Sequence, residues 1–181
     1  PVPSGSLTLL VVAATERELA HVRRFDTFCC GIGPVEAALQ TARVLEERQP
    51  AAVLHVGIAG ARTLAPLTVV IGSESIYCDV AAAIPVVDRI LPDAELLERC
   101  RAALPDAAVV PIGTSAAVGG GTCDVEAMEG FGVLRACELA GVPAVELRVV
   151  SNSPDESDRS KWLFEEAFEL LGSVLDRLDV V

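Results

Sequence analysis

The stretch LTLLVVAATERE, residues 7–18, contains the pattern that determines the fold class. Its first seven residues form a nearly continuous apolar run, which is typical of a strand buried on both faces of a sheet. The run ends at Ala13, and Thr15 follows with Glu18 three residues later, the spacing of a capping box at the start of a helix. A buried strand that leads directly into a capped helix predicts an α/β architecture.

The rest of the chain repeats this alternation of aliphatic runs and amphipathic stretches, without an internal repeat or a linker. Strands are expected over 26–30, 52–56, 68–77, 107–112 and 144–151, and helices over 34–49, 93–104, 128–140 and 158–178. In the helix that Pro34 opens, one apolar face is expected to consist of Val35, Ala38, Leu39, Ala42 and Leu45. The alternation predicts one domain over residues 1–181, in which helices cover both faces of a central sheet.

The composition excludes several classes of function. Half of the 181 residues are hydrophobic (51%) and only 4% are aromatic, so a packed core is expected and disorder is not. Asp and Glu outnumber Lys and Arg by 26 to 14, and a net charge of −12 argues against nucleic acid and against anionic membrane surfaces. No apolar run reaches the roughly 20 residues of a membrane span, and the N-terminal residues lack the basic segment of a secretory signal.

The six cysteines predict neither a disulfide framework nor a metal site. None forms a C-x2-C pair, and only two histidines, His21 and His55, are available as further ligands. We therefore expect reduced cysteines in a cytoplasmic protein, and no metal. The sequence also lacks a P-loop, a G-x-S-x-G elbow and the third glycine of a dinucleotide fingerprint, so no nucleotide cofactor is expected.

Polar and glycine residues follow the predicted strands where binding sites of α/β sheets lie, over 15–18, 57–60, 126–130 and 151–155. Glu129 is expected in the first turn of a helix, where its carboxylate could accept hydrogen bonds from both hydroxyls of a sugar diol. Glu18 and Asn152, the only asparagine, are further candidates. Taken singly, the two glutamates are also typical of solvated helix residues, and Asn152 is also typical of a loop residue that bonds its own backbone.

Five segments together resemble the purine nucleoside phosphorylase/nucleosidase superfamily, and in particular its nucleosidase branch. In chain order they are ATERE (14–18), GIGP (31–34), GIAGA (57–61), VEAMEG (125–130) and RVVSN (148–152). The resemblance implies a three-layer nucleoside phosphorylase-like fold with a central mixed, mostly parallel sheet flanked by helices. It also implies a free nucleoside as substrate, no cofactor, and a homo-oligomer.

The resemblance assigns a role to each matching residue. Glu18 matches the glutamate that activates the attacking water, Met128 the methionine under the ribose, and Glu129 the carboxylate that holds the ribose hydroxyls. The residues Gly57, Ile58, Ala59 and Gly60 match a glycine-rich turn beside the ribose. Ser151 and Asn152 match the segment that contacts the base. A water and a carboxylate near the anomeric carbon suit the oxocarbenium-like transition state of N-glycosidic hydrolysis.

Two departures indicate the subtype. Adenine-specific members carry an aspartate as general acid where this chain has Asn152, and an amide instead suits a 6-oxopurine. The Ser-Asn ending resembles futalosine hydrolase, which releases hypoxanthine from futalosine in menaquinone biosynthesis. Phosphorylase relatives carry an arginine where this chain has His55, which favours water as the nucleophile. The alternatives are a methylthioadenosine/S-adenosylhomocysteine-type nucleosidase and a non-catalytic nucleoside-binding relative.

Two expectations concern how the substrate is held. Futalosine carries a benzoate, and Arg62, Arg148 and Arg159 are the candidate cations for it. The scarcity of aromatic residues implies that aliphatic contacts and Asn152, rather than a stacked ring, hold the base.

Overall fold

The computed structural model describes residues 8–80 and 83–178. Its strands are β1 (Leu9–Ala13), β2 (Asp26–Cys29), β3 (Ala52–Ala61), β4 (Val69–Tyr77), β5 (Arg89–Ile90), β6 (Ala108–Thr114), β7 (Val125–Ala127) and β8 (Ala144–Asn152). Its helices are α1 (Glu16–Leu19), α2 (Pro34–Arg48), α3 (Ala94–Ala103), α4 (Gly130–Ala140) and α5 (Phe164–Arg177), with a 3₁₀ turn over Arg159–Lys161. Leu7, with which the first predicted strand begins, lies outside the described residues.

The strands form one mixed sheet that closes on itself at one end. β3 pairs in parallel with β1 and β8, and β2 extends the sheet beyond β1. On the other side β8 pairs with β4, β4 with β6, β6 with β7, and β7 returns to β3. Parallel pairings predominate in the described part of the chain, so the predicted mixed, mostly parallel sheet is confirmed. The closed ring of β3, β8, β4, β6 and β7 was not predicted.

Helices cover the sheet on both sides, as the alternation of elements predicted. Alternate residues of β1 point to opposite faces, so Leu9 and Val11 belong to one hydrophobic cluster and Leu10 and Val12 to another. The first cluster includes buried residues of α3 and α5, and the second includes buried residues of α2 and α4. The three-layer expectation is therefore confirmed.

The predicted ends of several helices are confirmed. Thr15 and Glu18 form the capping box at α1, with the side chain of each bonded to the backbone of the other. The Asp93 side chain accepts a hydrogen bond of 2.9 Å from the backbone N–H of Leu96 at the start of α3. Gly141 ends α4 in the left-handed conformation that glycine adopts without steric cost.

The predicted apolar face of α2 is wrong. Of its five residues only Leu45 is buried, whereas Val35 and Leu39 are 68% and 64% exposed. The buried face is shifted by about one residue, and consists of Pro34, Ala37, Thr41, Val44 and Leu45. Close packing explains the shift, because a Cβ on Gly132 of α4 would collide with the backbone carbonyl of Pro34. Small residues determine this helix contact, so the larger apolar side chains remain outside it.

Three further boundaries differ from the predictions. Residues 57–60 continue β3 rather than forming a turn, because β8 and β7 both pair with this part of the strand. The helix expected from Met128 begins at Gly130. The last helix begins at Phe164 rather than at Asp158, and the 3₁₀ turn precedes it. In the described residues, no helix has the length and apolarity needed to span a membrane.

Candidate functional site

A pocket of about 330 Å³ opens where the carboxyl ends of β1, β3 and β8 meet α1, the β7–α4 junction and the start of α5. This size lies at the lower end of the range typical of small-molecule sites. Eight of the nine predicted site residues line it: Glu18, Ile58, Ala59, Gly60, Met128, Glu129, Ser151 and Asn152. The ninth, Gly57, lies beside the wall rather than in it.

Glu18 is almost completely buried and its carboxylate is held by the backbone. Its Oε2 accepts hydrogen bonds of 3.0 Å from both the N–H and the hydroxyl of Thr15. Its Oε1 accepts a bond of 3.1 Å from the N–H of Ile58 in β3. Burial raises the pKa of Glu18, and the nearby positive charge of Arg148 opposes this rise. A carboxylate with a raised pKa and fixed geometry is suited to act as a base.

Glu129 lies at the junction of β7 and α4. It occupies the N-cap position rather than the predicted first turn, and its side chain does not cap the helix. Instead its Oε1 accepts a hydrogen bond of 3.1 Å from the N–H of Gly33, and its Oε2 lies 3.6 Å from Nη2 of Arg148. The neighbouring Met128 also lines the pocket. This anchoring holds a second carboxylate in the same cavity as Glu18.

Beneath these two carboxylates is a buried polar cluster that the sequence did not predict. Its centre is the guanidinium of Arg148, which is only 1% exposed. Nε donates to Oε1 of Glu146 at 2.9 Å, Nη1 donates to the carbonyl of Ile58 at 3.3 Å, and Nη2 lies 2.5 Å from Nε2 of His55. Burial raises the pKa of Glu146, and the Arg148 charge opposes that rise. Glu146 and Arg148 are two residues apart and therefore share one face of β8, but the sequence does not indicate which residues of other elements they contact.

Gly57 lies where the pocket and this cluster meet. A Cβ at this position would collide with Oε1 of Glu18 and with Nη1 of Arg148, so only glycine allows both groups to approach the strand. Gly60 has a similar role further along β3, where a Cβ would lie 2.9 Å from Pro154 and 3.3 Å from Nδ2 of Asn152. These glycines are needed for close packing within a strand, not for a turn.

Ser151 and Asn152 end β8 on the pocket wall. The Ser151 hydroxyl donates to Oδ1 of Asn152 at 2.8 Å and lies 3.3 Å from the carbonyl of Ala59. This bond orients the amide so that Oδ1 faces Ser151, and the two N–H groups of Nδ2 are the donors of the side chain.

Three aromatic side chains, Trp162, Phe164 and Phe168, form one side of the pocket. Phe164 contacts the Trp162 ring edge-to-face at a centroid distance of 5.4 Å, and stacks on Phe168 at 6.4 Å. The sequence did not indicate this aromatic side of the pocket, and the expectation that aliphatic contacts and Asn152 hold the base stays a prediction. Their spacing at the start of an amphipathic helix is the same as that of core residues, so the sequence does not distinguish the two uses.

Arg17 is the only cationic side chain among the described residues that line the pocket. Its guanidinium lies 5.2 Å from the centre of the Phe168 ring and pairs with Glu165 at the surface. The three arginines nominated from the sequence lie elsewhere: Arg62 binds Glu126 and loop carbonyls, Arg148 is buried in the cluster, and Arg159 lies over Trp162 outside the pocket wall. Among residues 8–80 and 83–178, no three His, Cys, Asp or Glu side chains converge in a way that could hold a metal ion.

Comparison with known sequences identifies the family of the chain. The family model of the Phosphorylase superfamily matches residues 21–127, which is more than half of the chain. The chain belongs to the phosphorylase superfamily. The resemblance inferred from its motifs is therefore confirmed, and the three-layer fold described above is the fold of this superfamily.

Individual members of the phosphorylase superfamily match to different extents. Futalosine hydrolase of Streptomyces coelicolor is 47% identical over 53 residues, which cover 29% of this chain and 23% of that protein. Among solved structures, a mutant methylthioadenosine nucleosidase of Helicobacter pylori with 5′-methylthioadenosine bound superimposes with a TM-score of 0.85 at 17% identity, covering 96% of this chain and 98% of that one. The native futalosine hydrolase of the same organism gives 0.84 at 16%, covering 94% and 96%.

The TM-scores of 0.85 and 0.84 show that this chain shares the fold of both enzymes, and they do not distinguish between the two.

Proposed function

We propose that this protein is a nucleosidase of the futalosine hydrolase type, which hydrolyses the N-glycosidic bond of a 6-oxopurine nucleoside. The observation that carries the proposal is the convergence of Glu18, Glu129 and Asn152 on one pocket. The 47% identity to a futalosine hydrolase over part of the chain supports the same subtype. On this proposal futalosine is converted to hypoxanthine and dehypoxanthine futalosine, a step of menaquinone biosynthesis.

Glu18 is proposed as the base that activates the attacking water. Three hydrogen bonds from Thr15 and Ile58 fix its carboxylate, and its raised pKa favours proton uptake during attack. As the C–N bond breaks, positive charge develops on the ribose, and the pocket carboxylates Glu18 and Glu129 stabilise it electrostatically. Glu129 accepts hydrogen bonds from the ribose hydroxyls, while Met128, with the strand residues Gly57, Ile58, Ala59 and Gly60, defines the space around the sugar.

Asn152 is proposed to bind the departing base. With Oδ1 bonded to Ser151, Nδ2 can donate to the acceptors N7 and O6 of a 6-oxopurine. Adenine also has the N7 acceptor, but its 6-amino group is a donor where a 6-oxopurine presents the acceptor O6. Negative charge that develops on the leaving base therefore meets a hydrogen-bond donor rather than a proton donor, and the base takes up its proton from solvent. The proton that Glu18 removes from the attacking water returns to solvent, so that water is added across the C–N bond.

Water is favoured over phosphate as the nucleophile by the charges around the pocket. Its wall contains the carboxylates of Glu18, Glu126 and Glu129, which repel a phosphate dianion. Three guanidinium groups lie in or beside the pocket, and each is engaged. Arg148 is bound by Glu146, His55 and Ile58. Arg17 pairs with Glu165, and Arg62 pairs with Glu126. Burial and the adjacent Arg148 charge also hold the pKa of His55 well below its usual range, so His55 offers no positive charge to an anion.

A panel of nucleosides tests the substrate. Purified protein is incubated with futalosine, inosine, 5′-methylthioadenosine and S-adenosylhomocysteine, and free purine is measured by chromatography. We expect hypoxanthine release from futalosine. We also expect Arg17→Gln to lower kcat/KM for futalosine but not for inosine, because Arg17 is the cation that lines the pocket and only futalosine carries a benzoate. Arg23→Gln, at an exposed position outside the pocket wall, is the matched control. Release of adenine alone would contradict the subtype, and binding of a nucleoside without release would indicate a non-catalytic relative.

Glu18→Gln tests the mechanism. We expect the rate of base release to fall about a hundredfold or more, because an amide cannot take up the proton of water. Glu16→Gln, an exposed acid on the same helix, is the matched control and should retain full activity. Equal unfolding midpoints for the two variants would show that the fold is intact, and unchanged turnover in Glu18→Gln would remove this residue from the mechanism.

A further inference from the structure

The contact between His55 and Arg148 in the buried cluster is not explained by the pocket itself. His55 lies on β3 and is completely buried, and neither it nor Glu146 reaches the pocket wall. Its Nδ1 lies 3.0 Å from the backbone carbonyl of Val12 on β1, and its Nε2 lies 2.5 Å from Nη2 of Arg148. The imidazole thus bridges the centre of the sheet and the guanidinium.

The partners of the two ring nitrogens determine the protonation state of His55. A carbonyl can only accept, so Nδ1 carries the hydrogen, and a guanidinium can only donate, so Nε2 presents its lone pair. A doubly protonated ring would direct an N–H at a cation. Burial and the Arg148 charge both lower the pKa of His55, which agrees with a neutral ring. His55 is therefore a fixed hydrogen-bond acceptor for Arg148.

The orientation of Arg148 matters because its guanidinium lies between the two pocket carboxylates. Nη2, which donates to His55, is also the nitrogen 3.6 Å from Oε2 of Glu129. Nη1 and Oε1 of Glu18 both lie beside Gly57, next to the space that a Cβ would occupy there. Glu146 holds Nε and the Ile58 carbonyl holds Nη1, so His55 supplies the third point that fixes the guanidinium plane.

We propose that His55 is a positioning residue, which acts through Arg148 to hold its positive charge between Glu18 and Glu129. This proposal rests on the proposed hydrolase function for its effect on rate, but not for its effect on the charge of Glu18. The charged group that acts on His55 is Arg148 on β8, and Arg148 is in turn influenced by Glu146 on β8, Glu129 at the β7–α4 junction and Glu18 on α1. Since the Arg148 charge lowers the pKa of Glu18, displacement of the guanidinium should raise that pKa further.

Two substitutions separate positioning from mere packing. In His55→Gln the longer amide can place its oxygen where Nε2 was, and so retain an acceptor for Arg148. In His55→Asn the shorter amide can retain the donor to the Val12 carbonyl but cannot reach the guanidinium. If His55 acts only through its bond to Val12, His55→Asn should retain more of the wild-type properties. If it positions Arg148, His55→Gln should retain more of them.

The measurements are the pH profile of kcat/KM and the titration of the Glu18 carboxyl by ¹³C NMR in the free protein. We expect His55→Asn to lose about tenfold in kcat/KM, with its acid limb and the Glu18 titration moved to higher pH, and His55→Gln to remain near wild type. Equal Glu18 titrations in all three proteins, or a wild-type profile in His55→Asn, would overturn the proposal. If the wild type releases no base, the proposed function fails, and the NMR titration still tests the positioning.

Discussion

In the proposed function, Asn152 is the residue that distinguishes a 6-oxopurine from adenine. Its amide is held by Ser151 through Oδ1, at the end of a strand that also carries Arg148 and Glu146. The identity of this one side chain is read from the sequence. Which of its two polar atoms is available to a base follows only from the Ser151 contact.

Asn152→Asp is expected to gain activity toward adenine nucleosides. A carboxyl group at this position can carry a proton to the leaving base, which an amide cannot, and a positioned acid contributes substantially to rate. We expect adenine release from 5′-methylthioadenosine to rise at least about tenfold, and futalosine cleavage to fall. Asn152→Ala, whose side chain offers neither an acidic proton nor an amide, is the control. Equal adenine release from the Asp and Ala variants would contradict the assigned role.

At the scale of elements, helix α2 shows how close packing overrides an apolar pattern. Apolar residues occur on more than one side of this helix, so hydrophobicity alone does not identify its buried face. The contact with α4 at Gly132 selects the side that carries Pro34 and Ala37. As a result Thr41 becomes completely buried, and its hydroxyl has no hydrogen-bond partner in the described structure.

Thr41→Val is expected to stabilise the protein. Valine has nearly the same shape, suits the same rotamers and removes a buried hydroxyl that has lost its hydration without gaining a partner. We expect the free energy of unfolding, measured by urea denaturation, to rise by about 1 kcal/mol. Thr41→Ala should instead lower it, because truncation leaves a cavity. A lower stability for Thr41→Val would indicate that the hydroxyl has a partner after all.

At the scale of the whole molecule, the shifted face of α2 leaves apolar side chains exposed beside the pocket. Ile32, which lines the pocket, is exposed together with Val35 and Leu39. We call these three residues the apolar strip, and exposed apolar side chains near one another are typical of a surface that contacts another protein. The family resemblance predicts a homo-oligomer, and we propose that this strip is covered by a second copy of the chain.

Leu39→Glu tests this assembly by sedimentation velocity. We expect the wild type to sediment as a dimer or larger species, and Leu39→Glu to shift toward the monomer because burial of a carboxylate opposes association. Leu91→Glu, at an equally exposed leucine outside the strip, is the matched control and should not change the oligomeric state. A wild type that remains monomeric at all concentrations would refute the proposed second copy.

The sequence by itself determined the alternation of strands and helices, the caps at Thr15 and Asp93, and the residues that end the strands. These features depend on local periodicity and on neighbours a few residues away, which a single sequence displays directly. Five separated motifs in a fixed order were sufficient to indicate the family. Eight of the nine candidate residues line the same pocket.

Only the tertiary structure decided the closed ring of strands, the aromatic wall of the pocket and the cluster around Arg148. His55 and Arg148 are 93 positions apart, and their contact depends on the register of β3 against β8. The same register extends β3 through the glycines that were expected to form a turn. Such contacts arise from how distant elements pack, and no local pattern of residue types encodes that geometry.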